Sequence, residues 1–343
     1  MTLDFKEDTV AVIYGGAGYE HGVSLASARN LFAVLDRSGI RYAPILIDRS
    51  GEWRMQRSPF SGGEEISTYP VRLGGISGFI AGDEVIPIGR ALVLLHGDMG
   101  EDGRVQGALE CAGIKVVGTG CIAGATAADK AYTKWIAASL GIPVLPAAVA
   151  DLSVADTDID EICERAVGKF GFPLFVKPCR LGSSYGAMPA TDGDALSDAV
   201  KNALAYEKRI MIEPCLFEKR ELECAYFSFG GVCVVTDPGE IVINGFYSFD
   251  EKYSSKSHAV PTVHAELPAK QRELIRAYTR KLAVALGVSG FARFDYFLKD
   301  STIYFNEVNT IPGMTDTSLY LSMLAAEGIG EDRFVALMLG GGA

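Results

Sequence analysis

FARFDYFLKDSTIYFNEVNTIPG, residues 291–313, alternates apolar and polar residues on both sides of a turn at Asp300 and therefore predicts a β-hairpin. Glu307 and Asn309 are two residues apart on the second strand, so their side chains leave the same face, and Asp295 lies on the first strand. The pattern thus predicts that two carboxylate side chains and one amide side chain lie close together on the hairpin. Hard oxygen donors of this kind suit a magnesium ion whose other ligands are nucleotide phosphates and water. A solvated hairpin edge carries similar residues, so this pattern by itself leaves both interpretations open.

The composition argues against several classes of protein. The chain has 343 residues, of which 48% are hydrophobic, enough for two or three domains with their own cores. A formal net charge of -11 without a long basic run disfavours nucleic acid and anionic membranes as partners. We find no run of about eighteen apolar residues and no secretory signal, and therefore expect a cytoplasmic protein. The 7 cysteines form no C-x-x-C pair, which is typical of reduced thiols rather than zinc ligands.

The first third of the chain alternates strands and helices, which predicts an α/β domain over residues 1–120. Ser24 is the predicted N-cap of its first helix. The predicted elements are strand 9–16, the helix after Ser24, strand 42–48, a polar glycine-rich stretch 51–89, strand 91–97, a helix at 105–111 and strand 115–120.

Two further units are predicted, over residues 121–213 and 214–343. The first contains helix 129–141, strand 173–178, a glycine-serine loop, a helix and strand 210–214. The second contains strands 222–229 and 231–237, a polar loop 246–261, helix 270–286 and the hairpin quoted above.

A phosphate site is predicted where the strand PLFVKP ends at Lys177 and the string GSSYG follows at 182–186. Glycine lets the backbone approach a ligand closely, and Ser183 and Ser184 offer hydroxyl and amide donors to phosphate oxygens. The spacing G-x-x-x-x-G-K-[ST] is absent, which disfavours a P-loop NTPase, and a plain tight turn remains the alternative. GGAGYE at 15–20 lacks the full dinucleotide fingerprint.

A third signal is HGDMGEDGRVQGA, residues 96–108, which places a histidine, carboxylates and glycines directly after a buried strand, where α/β proteins bind ligands. This string resembles a signature of the D-alanine:D-alanine ligases, and further strings match that family in its order. They are GGAGYEHGVSLASARN (15–30), DKAYTK (129–134), FPLFVKP (172–178), GSSYG (182–186), FDEKY (249–253) and NEVNTIPGMTDTSL (306–319). The resemblance implies a Rossmann-like N-terminal domain followed by an ATP-grasp fold, in which two α+β lobes hold ATP between them.

The resemblance also implies which residues bind ATP and metal. Those implied for the phosphates are Lys130 and Lys177, beside Ser184 of the glycine-serine loop, and those for adenine and ribose are Glu213 and Glu221. The implied ligands of two magnesium ions, with manganese as an alternative, are Asp295, Glu307 and Asn309.

Other residues are implied for the two amino acids. Glu20 would bind the ammonium of the first D-alanine, and Ser183 and Tyr253 match its hydrogen-bonding partners in the family. The remaining members of this set are Lys252 beside Tyr253, His96 in the same pocket, Arg293 and the Gly313 backbone at the oxyanion, and Ser318 and Leu319 at the carboxylate of the second amino acid.

These roles imply a reaction in which ATP phosphorylates the first D-alanine and the amine of the second then displaces phosphate. The product would be the dipeptide D-alanyl-D-alanine, a peptidoglycan precursor. Because an acyl phosphate hydrolyses readily, we expect a lid over the site and assign it to the loop 246–261. The family also suggests a homodimer.

Alternatives remain open. Lys252 and Tyr253 favour an amine over a hydroxyl nucleophile, and Leu319 favours D-alanine over D-serine as the second substrate, so a D-alanine:D-serine ligase is the nearer alternative and a D-lactate ligase the more distant one. A nucleotide-binding module without catalysis is an alternative from another class. Lys134, one turn after Lys130, is expected to be a solvated helix charge.

Overall fold

The computed structural model of the chain describes residues 9–60, 65–155, 157–242, 260–315 and 318–340. Three β-sheets with flanking helices make up this part of the chain. Parallel strands occur at the centre of the first sheet, whereas the other two sheets are antiparallel. The predicted combination of α/β and α+β architecture is confirmed.

The first sheet has eight strands in the order β6-β5-β4-β3-β2-β1-β7-β8. Its strands are β1 Val10–Gly15, β2 Tyr42–Ile47, β3 Trp53–Gln56, β4 Glu65–Leu73, β5 Ile76–Ala81, β6 Glu84–Pro87, β7 Arg90–Val93 and β8 Lys115–Val117. Helices α1 (His21–Arg37) and α2 (Arg104–Cys111) connect strands of its parallel part. Strand β1 is buried along its whole length because it lies between β2 and β7.

The prediction of a polar connection over residues 51–89 was wrong, because four strands, β3 to β6, lie within it. They extend the sheet beyond β2 as antiparallel neighbours. Most residues of β4 remain at least partly exposed. A strand exposed on both faces lacks the alternation of apolar and polar residues that identifies a half-buried strand, and so the sequence pattern was missed.

Ser24 is not the N-cap of α1, since the helix already begins at His21. The Ser24 hydroxyl instead accepts from the Gly15 amide at 2.8 Å and donates to the Leu94 carbonyl at 2.6 Å. It therefore joins α1 to the carboxyl ends of β1 and β7, the edge that faces the site described below.

The second sheet has four antiparallel strands in the order β11-β10-β12-β9. They are β9 Ala148–Asp151, β10 Leu174–Pro178, β11 Met188–Ala190 and β12 Arg209–Pro214, and the helices of this segment are α3 Cys121–Ala128, α4 Lys130–Ser139, α5 Ile159–Phe170 and α6 Gly193–Tyr206. Asp129 caps α4, because its carboxylate accepts from the amides of Ala131 and Tyr132. This cap fixes where Lys130, the first residue of the helix, enters the cleft.

The third sheet contains β13 to β18, in the order β16-β15-β13-β17-β18 with β14 paired to β13. The strands are β13 Arg220–Phe229, β14 Val232–Val235, β15 Gly239–Val242, β16 Val260–Thr262, β17 Gly290–Lys299 and β18 Thr302–Asn309, and the helices are α7 Ala269–Leu286, α8 Leu319–Ala326 and α9 Glu331–Leu339. Strands β17 and β18 confirm the predicted hairpin, with Asp300 in the turn.

Most of the predicted lid, 246–261, lies outside the described residues. The strands on either side of it are described, and Val242 of β15 pairs with Val260 of β16. The chain therefore leaves and re-enters the third sheet at adjacent positions.

We call residues 1–120, 121–213 and 214–343 the first, second and third segments of the chain. The first and third segments share one core. Leu31 of α1 belongs to the same buried cluster as Phe227 of β13 and Phe334 of α9. A second cluster packs Ala127 and Ala137, from α3 and α4, against the third sheet. Among the residues that the structure describes, no helix has the length and apolar character needed to cross a membrane.

Candidate active site

One cleft of about 1540 Å³ is lined by residues of the second and third sheets, of helices α1 and α4, and of the loop that follows β7 of the first sheet. Every described residue that the sequence analysis assigned to a site lines it. They are Glu20, His96, Lys130, Lys177, Ser183, Ser184, Glu213, Glu221, Arg293, Asp295, Glu307, Asn309, Gly313, Ser318 and Leu319. The two others, Lys252 and Tyr253, lie outside the described residues. The roles of these residues remain predictions.

The hairpin β17–β18 brings its three oxygen donors to one face. Asp295 is the register partner of Glu307, and Arg293 is the partner of Asn309. The Arg293 guanidinium forms a fork with both Asp295 oxygens at 2.8 Å, and the Asn309 amide nitrogen donates to Asp295 at 3.1 Å. Burial opposes the charge on Arg293, but Asp295 and Glu223 raise its pKa well above the usual value. Arg293 is therefore a fixed cation beside the carboxylates.

The donor set suits a magnesium ion that is shared with a nucleotide. Within the described part of the chain, no group of three or more His, Cys, Asp or Glu side chains is arranged to hold a metal. The protein ligands would be two carboxylates and the Asn309 amide oxygen, since the amide nitrogen faces Asp295. Magnesium is often held by one or two carboxylates together with phosphate oxygens and water, so this sparse set fits it.

Lys130 connects the hairpin to the glycine-serine loop. Its ammonium lies 3.2 Å from Glu307 Oε2 and donates to the Leu181 carbonyl at 2.7 Å. Burial opposes the charged form, yet the Glu307 carboxylate raises the pKa of Lys130 above its usual value. The lysine therefore remains a cation at the point where ATP phosphates are predicted.

Lys134 is not a solvated helix charge, which corrects the sequence-based prediction. Its side chain is 4% exposed and its ammonium bonds Glu213 Oε2, while Lys177 lies 2.8 Å from Glu213 Oε1. Burial lowers the pKa of Lys134 to about 8. Burial opposes ionisation of Glu213, but Lys134 and Lys177 together lower the pKa of that carboxyl to about 2. The helical repeat showed that Lys134 shares a face with Lys130, but not that this face is the inner one.

Asn306 was also missed. A β-bulge between β17 and β18 makes Asp295 the partner of Glu307 and Tyr296 the partner of Phe305, so Asn306 is the extra residue. Its side-chain oxygen accepts from the Lys177 ammonium at 3.0 Å. Lys177, on the second sheet, is thereby held against the third. A bulge depends on strand pairing and leaves little trace in sequence.

Glu221, predicted together with Glu213 for adenine and ribose, also lines the cleft. Its carboxylate is 3.1 Å from the Lys219 ammonium, which also lies 4.7 Å from the centre of the Phe297 ring. The ring and the charge pair both line the cleft. An aromatic ring beside hydrogen-bonding groups is suited to a nucleoside.

Glu20 and Ser183 meet across two segments. Glu20 is the residue before α1, and the Ser183 hydroxyl donates to its Oε1. A Cβ atom added to Gly182 would lie 3.1 Å from Glu20 Oε2, so the loop backbone passes close to the carboxylate. Ser183 and Ser184 both have positive φ, 51° and 60°, which is unusual for residues other than glycine. The predicted partnership of Glu20 with Ser183 is thus a direct contact.

His96 lines the cleft as a neutral ring. Its Nδ1 donates to the Ile311 carbonyl at 2.8 Å, and its Nε2 lies 2.9 Å from the Ser27 hydroxyl. The Met314 amide donates to the same hydroxyl at 3.2 Å, so the hydroxyl proton is directed to His96. Burial lowers the pKa of His96 below its usual value, although Glu20 acts in the opposite direction. His96 therefore ties the first domain to the loop after β18.

Glu101 lines the same cleft and was not singled out from the sequence. Burial raises the pKa of its carboxyl to about 8, and the negative charge of Glu20 acts in the same direction. It lies within the string HGDMGEDGRVQGA, so a carboxylate directly after a buried strand was the available signal. A carboxyl with a raised pKa in a cleft is a candidate functional group.

The loop after β18 leads to the N-terminus of α8. Ser318 is the residue before this helix, and its hydroxyl donates to the Gly313 carbonyl. Leu319, the first helical residue, is buried. Backbone amides at a helix N-terminus favour an anion, which suits the predicted carboxylate of a second amino acid.

Comparisons with known proteins agree over nearly the whole chain. The family model described as D-ala D-ala ligase N-terminus matches residues 9–119, and that described as D-ala D-ala ligase C-terminus matches residues 136–340. The D-alanine--D-alanine ligase A of Mesorhizobium japonicum is 37% identical, and the alignment covers 97% of each chain. The D-alanine--D-alanine ligase of Chlorobaculum tepidum is 33% identical and covers 97% of this chain and 96% of its own.

Two solved structures are similar throughout. The VanG D-Ala:D-Ser ligase from Enterococcus faecalis superimposes with a TM-score of 0.87 at 29% identity, covering 98% of this chain and 99% of the other. D-alanyl-alanine synthetase A from Vibrio cholerae gives a TM-score of 0.85 at 29% identity and covers 98% of both chains.

Proposed function

The chain belongs to the D-alanine–D-alanine ligase family, and on that premise we propose that it uses ATP to join two D-alanines to D-alanyl-D-alanine, by way of a D-alanyl phosphate. The dipeptide would serve as a peptidoglycan precursor. The observation that carries the proposal is that residues predicted for ATP, for metal and for both amino acids line one cleft. Residues from all three segments of the chain contribute to it, so the cleft is a product of the complete fold.

In the first step a carboxylate oxygen of D-alanine attacks the γ-phosphorus of ATP. The bond from that phosphorus to the bridging oxygen breaks, and ADP leaves. Glu20 holds the ammonium of the amino acid, while Lys130 and Lys177 balance the negative charge that develops on the transferred group. Both lysines are buried, which strengthens their interaction with a phosphate.

In the second step the amine of the other D-alanine attacks the acyl carbon. The tetrahedral intermediate carries an oxyanion, which the Arg293 guanidinium and the Gly313 backbone stabilise. The C–O bond to phosphate then breaks, and the departing phosphate takes up the proton that the amine loses. The N-terminus of α8, with Ser318 and Leu319, receives the carboxylate of the attacking amino acid.

Asp295, Glu307 and Asn309 would hold divalent metal, which we propose to be two magnesium ions, with manganese as a substitute. Bound there, magnesium supplies positive charge to the phosphate oxygens of ATP. The chain's own contribution is the rigid hairpin that fixes these oxygens and the lysine beside them.

The lid over residues 246–261, with Lys252 and Tyr253, is part of the same proposal. The strands on either side of residues 243–259, β15 and β16, pair with each other, and Ile241 of β15 and Pro261 of β16 both line the cleft. A loop anchored there can cover the site and exclude water from the acyl phosphate. The domain division at 1–120, 121–213 and 214–343, a homodimer and a cytoplasmic location are also proposed.

A D-alanine:D-serine ligase is the second candidate, favoured by the similarity to the Enterococcus faecalis enzyme. Leu319 is apolar and buried at the proposed second-substrate site, which favours the methyl group of D-alanine over a hydroxyl.

The test is incubation with Mg-ATP and an equimolar mixture of D-alanine, D-serine and D-lactate, followed by ADP assay and mass analysis of products. We expect D-alanyl-D-alanine as the main product and no ADP release with L-alanine. D-alanyl-D-serine as the main product would favour the second candidate. Tight Mg-ATP binding without ADP release under any of these conditions would instead indicate a non-catalytic module.

A further inference from the structure

Three tyrosines cluster at one side of the cleft, beyond the residues used in the proposed mechanism. The ring of Tyr19 lies 4.9 Å from that of Tyr185 and 5.6 Å from that of Tyr206, and the rings of Tyr185 and Tyr206 are 6.1 Å apart. We call this cluster the tyrosine clasp. Tyr19 belongs to the first segment of the chain, whereas the other two belong to the second, so the clasp joins the two segments.

The clasp flanks the contact between Glu20 and Ser183 in both sequence and space. Tyr19 immediately precedes Glu20, and Tyr185 follows Ser183 by two residues. Tyr19, Glu20, Ser183 and Tyr185 all line the cleft. A ring contact between the neighbours of two hydrogen-bonded residues restricts the relative movement of those residues.

The loop that carries Ser183 needs such support. Ser183 and Ser184 both adopt positive φ, and residues other than glycine rarely hold this conformation unless their surroundings enforce it. Tyr206 packs directly on the end of this loop, because a Cβ atom added to Gly186 would lie 2.9 Å from its Cδ2 atom. Gly186 therefore makes room for the Tyr206 ring, and the ring in turn supports the loop.

The clasp is not part of a hydrophobic core. Tyr19 is 55% exposed and Tyr206 is 39% exposed. Neither belongs to the buried clusters that hold the sheets together. Burial of apolar area thus gives a weak reason for three large rings to meet here, whereas their place beside Glu20 and Ser183 gives a specific one.

We propose that the tyrosine clasp is a positioning device, which holds Ser183 against Glu20 and thereby keeps the first amino-acid site in its working geometry. The inference rests on the proposed function. The three tyrosines act through Ser183 and Glu20 rather than by contact with the reacting atoms.

The test is a double-mutant cycle between Tyr206→Leu and Ser183→Ala, with kcat/KM for D-alanine and ADP release as the readout. Tyr206→Leu removes two ring contacts, and we expect kcat/KM to fall about fivefold, equivalent to roughly 1 kcal/mol. In the Ser183→Ala background the same substitution should change kcat/KM by less than about twofold, because the group through which it acts is already lost.

Two controls accompany this cycle. Tyr206→Phe keeps the ring and should retain the activity of the unmodified protein. Tyr69→Leu removes a tyrosine of similar exposure, 46%, on β4, far from Ser183 in sequence and hydrogen-bonded to Glu52, and should leave kcat/KM unchanged. An equal loss from Tyr206→Leu in both backgrounds, or no loss in either, would overturn the proposal.

Hydrogen exchange separates this inference from the proposed function. In protein without nucleotide, amides of residues 181–187 should exchange severalfold faster in Tyr206→Leu than in the Tyr69→Leu control. This readout needs no catalysis, so it tests the clasp even if ADP release is never observed. Unchanged exchange in this loop would contradict the inference about the tyrosine clasp. Faster exchange in a protein without ligase activity would support that inference and contradict only the proposed function.

Discussion

The two ends of the cleft are built differently. At the end proposed for ATP, which we call the phosphate end, Lys134, Lys177 and Glu213 come from one helix and two strands, and their charges are paired in a buried network. At the end proposed for the first amino acid, which we call the substrate end, Glu20 and Ser183 come from separate segments, and Ser183 lies in a loop with positive φ. Regular elements fix the first end, and a contact between loops fixes the second.

This difference has a functional meaning. Phosphoryl transfer needs positive charges at fixed places, and buried lysines on strands and helices provide them with little reorganisation. An amino-acid site must admit and release substrates, and a loop contact can open at smaller cost. Substitutions at the phosphate end should therefore have larger effects than those at the substrate end.

Lys177→Ala should have the largest effect. It removes a buried cation that faces the proposed phosphate site, and we expect kcat/KM for ATP to fall at least about 100-fold, roughly 2.7 kcal/mol. ADP release measures the change, and Lys201→Ala, with a side chain 74% exposed on α6, is the matched control. If turnover stayed within about threefold, roughly 0.6 kcal/mol, the assignment of Lys177 would be wrong.

Lys134→Met should have an intermediate effect, on stability. It leaves Oε2 of the buried Glu213 carboxylate without its lysine, and we expect a loss of about 2 kcal/mol, seen as a fall of several degrees in the apparent Tm. The double variant Lys134→Met/Glu213→Gln should recover part of this loss, because the unpaired charge is gone. A single variant as stable as the original protein would show that the pair does not anchor this end.

Glu101→Gln should have the smallest effect. We expect that effect as a change in how the stability of the fold depends on pH. Because the pKa of Glu101 is raised from 4.5 to about 8 in the fold, the folded state holds an additional proton between these values. The stability this provides is present below about pH 4.5 and is lost as the pH rises through about 8. Glu101→Gln should therefore reduce the fall in stability between about pH 5 and pH 8 by about 1 kcal/mol or more, measured as Tm. An unchanged pH profile would exclude a raised pKa at this residue.

The sequence predicted many of the residues that line the cleft, because those residues follow local rules. Strand alternation placed Asp295, Glu307 and Asn309 on one face of a hairpin, and the structure confirms this. Motif order identified Lys130, Lys177 and Glu20, all of which line the cleft. These are properties of short stretches, and short stretches can be interpreted without knowledge of their partners.

The errors concern residues whose state depends on distant neighbours. Lys134 was expected in solvent, but the face of α4 that carries it packs toward Glu213, 79 positions away in sequence. Strand β4 was missed because a largely exposed strand lacks a clear alternating pattern. Glu101 and Asn306 gained their significance only through burial and through the bulge in strand pairing.

The sequence by itself thus determined the family, the hairpin and the kinds of group that gather in the cleft. The chemistry of each side chain, and the side-chain repeats of two residues in strands and 3.6 residues in helices, can be observed in the sequence alone, and they are enough for these conclusions. Only the tertiary structure decided which charges are buried, which pairs neutralise one another and how the tyrosine clasp joins two segments. Solvation and electrostatic interaction depend on distances in space, and for Glu20 and Ser183 those distances are set by contacts between residues 163 positions apart.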